Sequence, residues 1–509
     1  MFYGGMAVDK NNSKTEEEKK VSVSLRENEA YIRKRCENCG DIVIRPMRLG
    51  KERKADCLMV YLEVATANMM LEDSALGKMI NHFWEIPPEQ IREFVKNNSL
   101  GIASAGKLST MQEVFAALLA GNAVFFLDGF DQAMKISSSG YPGMGVSETE
   151  TEKVLRGSKE GFSDSVKINS ALVRKRLRDT RMKVEEHYMG VRSNTLIHML
   201  FMEDLVREEL LDEIRERMEA FQVDGILDSG MLEQLTEDSW ISPFPQYQTT
   251  ERPDRAAQEI LNGKVVLLCD NSPFALIFPG TFSGFMESSE DWYNRFEMAS
   301  FLRIMRYLAM LAATLLPGLY LAVIRFHTQV LPANLILSFA QAREGVPFSS
   351  VAELLFLELG FELIREAGVH IPGTLGNAMG IVGGLIIGSA AVEANLVSPI
   401  VVMIVAITAL GSLAIPNEEF TSAFRLIKYF FLFLGGYLGI YGMVLGIYMV
   451  ISHLAGLLSF GFPYLGAFTR KNKAQGVGDG IFRIPFRLRR YRPVFASRKE
   501  RIRLKRRKQ

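Results

Sequence analysis

The chain has 509 residues, 59 Lys/Arg against 58 Asp/Glu for a formal net charge of +1, and 48% hydrophobic residues. That length excludes a single ordinary core, and two or more domains are expected. The average also hides a split: residues 1–298 alternate apolar and charged stretches, whereas Phe301 to Phe468 is mostly Leu, Ile, Val, Gly, Ala and Phe.

The opening "MFYGGMAVDKNNSKTEEEKK" is polar and has no apolar core, so residues 1–21 read as a disordered lead rather than a signal peptide. The first 298 residues are therefore expected to stay in the cytoplasm. A charged helical stretch, "LRENEAYIRKRC", then leads to a strand at "DIVIRPM". "DCLMVYLEV" (56–64) and "GNAVFFLDG" (121–129) are apolar runs bounded by turn residues and read as buried strands. Helical segments are expected between them at 72–82, 88–98 and 108–121, the last with Ser109 as N-cap. This makes residues 22–140 a small α/β subdomain, with "SSSGYPGMG" (137–145) as a joint. A second α/β subdomain over 141–241 holds a basic helix at "NSALVRKRLRDTRM", a strand at "NTLIHMLFM" and a helix at "EDLVREELLDEIRERMEAF".

Residues 242–298 follow as a proline-rich strap, a helix and a hairpin. In "SPFPQYQTTERPD", Pro243 and Pro245 force extended backbone, because proline fixes φ and biases its predecessor away from helix. Pro253 suits the first turn of a helix with Thr250 or Arg252 near its cap, and Asn262-Gly263 is a stop signal. "KVVLLCD" and "FALIF" pair across "NSP". The strap residues Pro243, Pro245, Glu251, Arg252, Pro253 and Asp254 are thus candidates for a rigid coupler into the apolar half.

About 20 apolar residues span a bilayer as a helix, and residues 299–468 hold several such runs, so an α-helical polytopic membrane domain is expected. The first begins near Arg295, Arg303 and Arg306, which places that end inside. "LPANLILSFAQAREGVPF" reads as an outer connection. Residues 347–366 are apolar but carry Glu353, Glu358, Glu362, Arg365 and Glu366. At 100° per residue all but Glu353 share an arc of about 100°. Residues 375–394 and 397–415 form a tight helical hairpin, with Gly376, Gly380, Gly384 and Gly388 an unbroken packing ladder. Residues 427–450 repeat the device at Gly435/Gly439 and Gly442/Gly446, and a shorter run, 453–468, follows. Six crossings satisfy the flanking charges if the acidic helix and the last short run both span; four crossings with two interfacial helices is the alternative.

Residues 470–509 hold 16 Lys/Arg against Asp479 and Glu500, a net of +14. This basic cytoplasmic tail (469–509) suits either anionic headgroups or nucleic acid. Its interleaved Phe482, Phe486, Leu488, Tyr491 and Phe495 favour membrane lipid, and no nucleic-acid partner is expected. "CENCG" (36–40) resembles one zinc knuckle, but no second CxxC exists, so Cys36 and Cys39 are expected as free thiols. A P-loop, GxSxG, HExxH or dinucleotide fingerprint after a strand is lacking, so neither an enzyme nor a cofactor or metal site is expected.

The stretches "DIVIR", "LDG" (127–129), "RGSKEGFSDS", "VDGILDSG", "SPFPQYQTTERPD", "FLRIMRYLAM", "AREGVPF", "ELIREAG" and "GIVGGLIIGSAAVEA" resemble the A subunit of the GerA family of bacterial spore germination receptors, which includes SpoVAF-type proteins. The resemblance covers about residues 25–468. It implies a subunit of a nutrient-responsive complex in the spore inner membrane that releases monovalent cations. It also implies a homo-oligomeric ring, a permease-like B subunit that binds the germinant, and a lipoprotein C subunit. An accessory, scaffold-like role of the SpoVAF kind is the alternative.

Two readings of the acidic helix remain open from the sequence. Glu358, Glu362 and Glu366 can recur around an oligomer axis as cation-lining rings. They can instead sit at the headgroup interface, with Glu362 and Arg365 paired at i,i+3. Glu353, on the other side, is expected to meet a neighbouring helix or subunit. Glu393 reads as interfacial or gating, and His327 and His370 as loop or pH-sensing residues.

Overall fold

The structure, a computed structural model, describes residues 19–49, 55–64, 105–136, 140–141, 148–369, 388–468, 480–493, 495–497 and 502–503. The helices expected at 72–82 and 88–98, most of the joint at 137–145, His370, and Gly376, Gly380 and Gly384 lie outside the described residues.

The N-terminal region builds two antiparallel five-stranded sheets. The first has β1 (Ile42–Leu49), β2 (Ala55–Leu62), β3 (Ala105–Leu108), β4 (Ala123–Leu127) and β5 (Ala133–Ile136) in the order β1-β2-β4-β5-β3. Helices α1 (Leu25–Arg35) and α2 (Met111–Leu119) cover it, with Ile32, Val114 and Leu118 packed on Leu58, Val60, Val124 and Phe126. The expected strands at "DIVIRPM", "DCLMVYLEV" and "GNAVFFLDG" are β1, β2 and β4. The cap of α2 is Thr110 rather than Ser109. Thr110 Oγ1 accepts the Glu113 N–H at 3.2 Å, while the Glu113 carboxylate accepts the N–H groups of Ser109 (2.8 Å) and Thr110 (3.1 Å). The Thr-x-x-Glu register wins because an ionised N3 side chain satisfies the orphan donors and the helix dipole together.

The second sheet has β6 (Met182–Met189), β7 (Thr195–Met202), β8 (Gln248–Thr250), β9 (Val265–Cys269) and β10 (Ala275–Phe278), ordered β6-β7-β9-β10-β8. It is buried on both faces. Helices α4 (Glu208–Glu219) and α5 (Ser229–Thr236) cover one side through Leu210, Ile214 and Leu232. Helices α3 (Val166–Arg176) and α6 (Pro253–Leu261) cover the other through Leu172, Val173, Ala256 and Ile260. The periodicity does not announce β6 or α5: β6 is an edge strand whose outer half, Glu185 to Tyr188, is polar and partly exposed. The α6 boundaries follow the sequence signals, with Arg252 as N-cap, Pro253 at the first helical position and Gly263 at φ +90° after the Asn262 cap.

The helical region comprises α7 (Phe296–Phe326), α8 (Ala333–Ala342), α9 (Ser350–Val369), α10 (Pro399–Leu413) and α11 (Glu418–Gly456). Among the described residues, α7 and α11 are long and apolar enough to cross a membrane. Helix α8 falls within the segment expected as a plain outer connection. Two features depart further from expectation. Gly439, at φ 63° and ψ −146°, breaks α11 and reverses the chain. The arm 440–456 runs back along 418–438, so that a Cβ on Gly446 would meet the Phe431 ring at 2.7 Å. The single crossing expected at 427–450 is therefore a helical hairpin. The run 453–468 is not a further crossing: past Gly456 it forms β11 (Leu458–Ser459) and β12 (Phe462–Pro463). Phe460 there packs 5.2 Å from Tyr247 and 4.9 Å from Phe278, because the aromatic side of the second sheet offers it a dry site.

Glycines let α7 and α11 cross at backbone contact. A side chain on Gly435 would overlap the carbonyl of Gly318, and one on Gly318 would overlap that of Phe431. Gly388 lies against Val402 of α10.

Candidate functional site: the strap junction and the acidic helix

The strap does three jobs in thirteen residues. Its first part docks on the helices. Phe244 is buried between both arms of α11, 5.3 Å from the Phe424 ring and 6.0 Å from His453, while Ser242 Oγ lies 2.9 Å from His453 Nε2. The carbonyl of the buried Pro245 accepts from Tyr464 Oη at 2.9 Å, and that of Gln246 from Ser459 Oγ at 2.8 Å. Pro243 is exposed. The middle, Gln248–Thr250, is edge strand β8. The last part ties to the 148–160 segment. Glu251 accepts the N–H groups of Glu150 (2.8 Å) and Thr151 (3.1 Å). Arg252, fully buried, donates to the carbonyls of Glu152 (3.1 Å) and Ser158 (2.7 Å) and pairs with Asp254 at 2.9 Å. Asp254 also accepts from Tyr293 Oη at 2.5 Å, just before α7. A charged guanidinium excluded from water survives only with its donors used in this way.

At the start of α7, Arg303 and Arg306 both turn to the buried Asp291, at 3.0 and 2.8 Å. The junction core adds Phe282, Phe285, Phe420 and Tyr464, with Phe285 stacked on Phe420 at 5.0 Å. Apolar packing from the strap, the one-turn helix Phe282–Phe285 and α11 is thus continuous.

The acidic helix α9 turns its carboxylates toward α10 and α11 of the same chain. Glu358, 1% exposed, accepts from Lys428 Nζ at 2.5 Å and from Thr408 Oγ1 at 3.2 Å. Glu362 lies 3.3 Å from Arg425 and 3.6 Å from Lys428. Arg365 pairs with Glu418, which also lies 3.1 Å from Arg425. The i,i+3 pair of Glu362 with Arg365 is not formed, because each finds its opposite charge across the interface on α11. Glu366 is at the exposed end of this face. Glu353 sits apart, as the helical wheel requires: one carboxylate oxygen accepts the N–H of Ser398 at the start of α10, and the other is 3.6 Å from Arg343. Glu393 is exposed. Together the pairs make a polar seam between α9 and α11 that apolar composition alone does not predict.

Several chemistry-bearing groups take roles that the sequence does not announce. The "CENCG" loop docks the two subdomains: Gly40 donates to Val184 at 2.9 Å, Val184 donates to Asn38 at 2.9 Å, and Arg174 forks onto Asp41 at 2.7 and 2.9 Å. Both thiols are buried, and burial pushes the Cys36 thiol up to about 12, so it stays protonated. His198, equally buried, holds Ser170 Oγ at 2.5 Å, and burial lowers its pKa to about 4. Glu233 on α5 is 8% exposed; burial first, then the charges of Glu419 and Glu237, push its carboxyl up to about 9.

A sequence-family model described as Bacillus/Clostridium GerA spore germination protein matches residues 30–495. The chain belongs to the GerA family. Among its relatives in Bacillus subtilis (strain 168), Uncharacterized membrane protein YfkQ is 36% identical over 95% of this chain and 93% of its own length. Spore germination protein KA of the same organism is 35% identical over 95% of this chain and 88% of its own, and Spore germination protein A1 is 36% identical over 75% and 79%. The N-terminal domain of the A subunit of the Bacillus megaterium spore germinant receptor GerK3 aligns over 52% of this chain and 98% of its own, with 24% identity and a TM-score of 0.41.

Proposed function

We propose that this GerA-family chain is a membrane subunit of a spore germinant receptor, lying multi-pass in the spore inner membrane with its N-terminal region and basic tail toward the core. The observation that carries the reading is the 35% identity to Spore germination protein KA across 95% of this chain. Its partners in this reading are a permease-like B subunit, a lipoprotein C subunit, further copies of itself, and lipid at the tail. The copies form a nutrient-gated path for monovalent cations. Glu358, Glu362 and Glu366 line that path, and the pairing of Glu358 with Lys428 and of Glu362 with Arg425 keeps it shut. Parting α9 from α11 frees carboxylates in a low-dielectric passage, which concentrates cations. The strap transmits the trigger, since Phe244 touches both arms of α11.

The test is potassium release from triggered spores carrying Glu362→Gln or Phe244→Ala. Both should release more slowly once triggered at parental amounts of membrane-inserted protein, and Glu362→Gln should also leak before the trigger because it loses its pair with Arg425; parental kinetics in both would overturn the assignment. A cysteine replacing the exposed Trp240 should resist an impermeant thiol reagent in intact cells, and ready labelling would reverse the orientation. An accessory, SpoVAF-type role is the alternative reading. A native pull-down separates the two: permease-like and lipoprotein subunits co-purify with a receptor subunit and are missing from an accessory one.

A further inference from the structure

The described part of the basic tail divides its arginines between two tasks. One set grips this chain. Arg483 is buried and donates to the carbonyls of Asn294 (3.0 Å) and Trp292 (3.1 Å), while its own N–H reaches Ser300 Oγ at 3.0 Å. Arg489, also buried, lies 4.3 Å from the centre of the Trp292 ring, a cation–π distance. Arg492 donates to the carbonyl of Leu261, and Arg503 to Asn262 Oδ1 at 3.1 Å. These are the last groups of α6, where unpaired carbonyls concentrate negative potential. Ala496 closes on Gly263 so tightly that a Cβ there would meet it at 2.8 Å. The tail is therefore a belt running from the first turns of α7 to the end of the strap helix.

The other set faces away. Arg487 and Arg490 are exposed, and with them Phe482, Leu488, Tyr491 and one side of Phe486, whose ring also packs 5.9 Å from that of Trp292. Exposed aromatic and aliphatic groups alternating with arginine are poorly matched to bulk water but suit a boundary with charge on one side and hydrocarbon on the other. The height of the belt agrees. Tyr307 Oη donates to the Gly480 carbonyl at 3.0 Å, so the belt begins beside the turns of α7 where Phe301, Met305 and Leu308 point outward.

We infer that the outer face of residues 480–491 rests on an anionic lipid surface, with Arg487 and Arg490 at the headgroups and the four apolar side chains just beneath. This rests on the membrane reading of α7. Because the inner arginines of the same segment hold the end of α6, headgroup charge and the strap are mechanically one piece, and lipid composition biases the junction.

The test uses full-length protein reconstituted into nanodiscs, with an environment-sensitive fluorophore on Leu488→Cys; the four native cysteines are buried and stay unlabelled. With phosphatidylglycerol present, the label should shift to the blue and be quenched by a lipid-borne quencher. In pure phosphatidylcholine both effects should weaken, and R487E/R490E should abolish them. Each arginine near an anionic surface favours contact roughly fivefold, so the double change shifts occupancy by well over an order of magnitude. A label at 488 that stays water-exposed in anionic nanodiscs, or responds equally in R487E/R490E, overturns the inference. A second label on Leu308→Cys, outward on α7, separates the causes. Quenching at 308 without quenching at 488 sinks the lipid contact alone, whereas no quenching at either sinks the membrane reading of α7 as well.

Discussion

Lys428→Met is the sharpest probe of the seam between α9 and α11. Lys428 is 8% exposed on its side chain and, among the described residues, is the one charged group within 4 Å of Glu358, itself 1% exposed. Removing it leaves a buried carboxylate with only the Thr408 hydroxyl at 3.2 Å. Breaking a buried pair from one side costs about 3–5 kcal/mol, because the stranded charge keeps its desolvation penalty. Glu358→Gln is milder, since Lys428 retains Glu362 at 3.6 Å and Gln can still accept from Thr408. The double variant Lys428→Met/Glu358→Leu removes both charges at similar volume and should recover most of the loss, as apolar replacements of buried pairs are often neutral or better. Helical unfolding in detergent, followed by circular dichroism, reads all three. At roughly 2–4 °C per kcal/mol for a unit of this size, the single Lys variant should melt about 6–20 °C early. If the double variant melts as early as Lys428→Met, packing rather than charge holds the seam and the argument fails.

Gly435→Ala should lower the same midpoint by an amount equivalent to about 1–3 kcal/mol, since its methyl overlaps the Gly318 carbonyl; Gly360→Ala, with open space around it, should not. Glu233 provides a pH test. Its carboxyl is raised by burial and by Glu419 and Glu237 to about 9, so the folded protein holds a proton that the unfolded chain, with its ordinary glutamate pKa of 4.5, releases sooner. The stability it contributes is complete below pH 4.5 and is lost as pH rises toward about 9. Hydrogen exchange over residues 229–237 should therefore quicken between pH 5 and 9 after correction for intrinsic rates, and Glu233→Gln should flatten the trend.

Most of the soluble fold was legible because its signals are local. Buried strands β2 and β4 are continuous apolar runs, and Pro253 with Asn262-Gly263 brackets α6. Elements without a local signal, such as β6 and α5, owe their place to neighbours: β6 is held by β7 and by the "CENCG" loop, α5 by the sheet beneath it. The acidic residues of α9 were visible as a face, but what they face was not. A helical wheel gives direction relative to the helix and says nothing of which partner lies there; Lys428 and Arg425 are 70 and 63 residues beyond the carboxylates they pair with.

Gly439 shows why that limit matters for function. In an apolar run, glycines four apart read as a packing stripe, and nothing local separates a glycine that lines a straight helix from one at φ 63° that reverses it. The difference is decided by whether the returning arm finds a surface, and here it does: Gly442 and Gly446 let it close on Leu434 and Phe431. The reversal brings His453 back beside Phe424, and Phe244 of the strap fits against both. It also returns the chain to the soluble side, where Ser459 and Tyr464 bond the carbonyls of Gln246 and Pro245. One positive-φ glycine thus converts a strap that would touch a single helix end into one gripped by both ends of a hairpin, whose first arm carries the cations of the acidic seam.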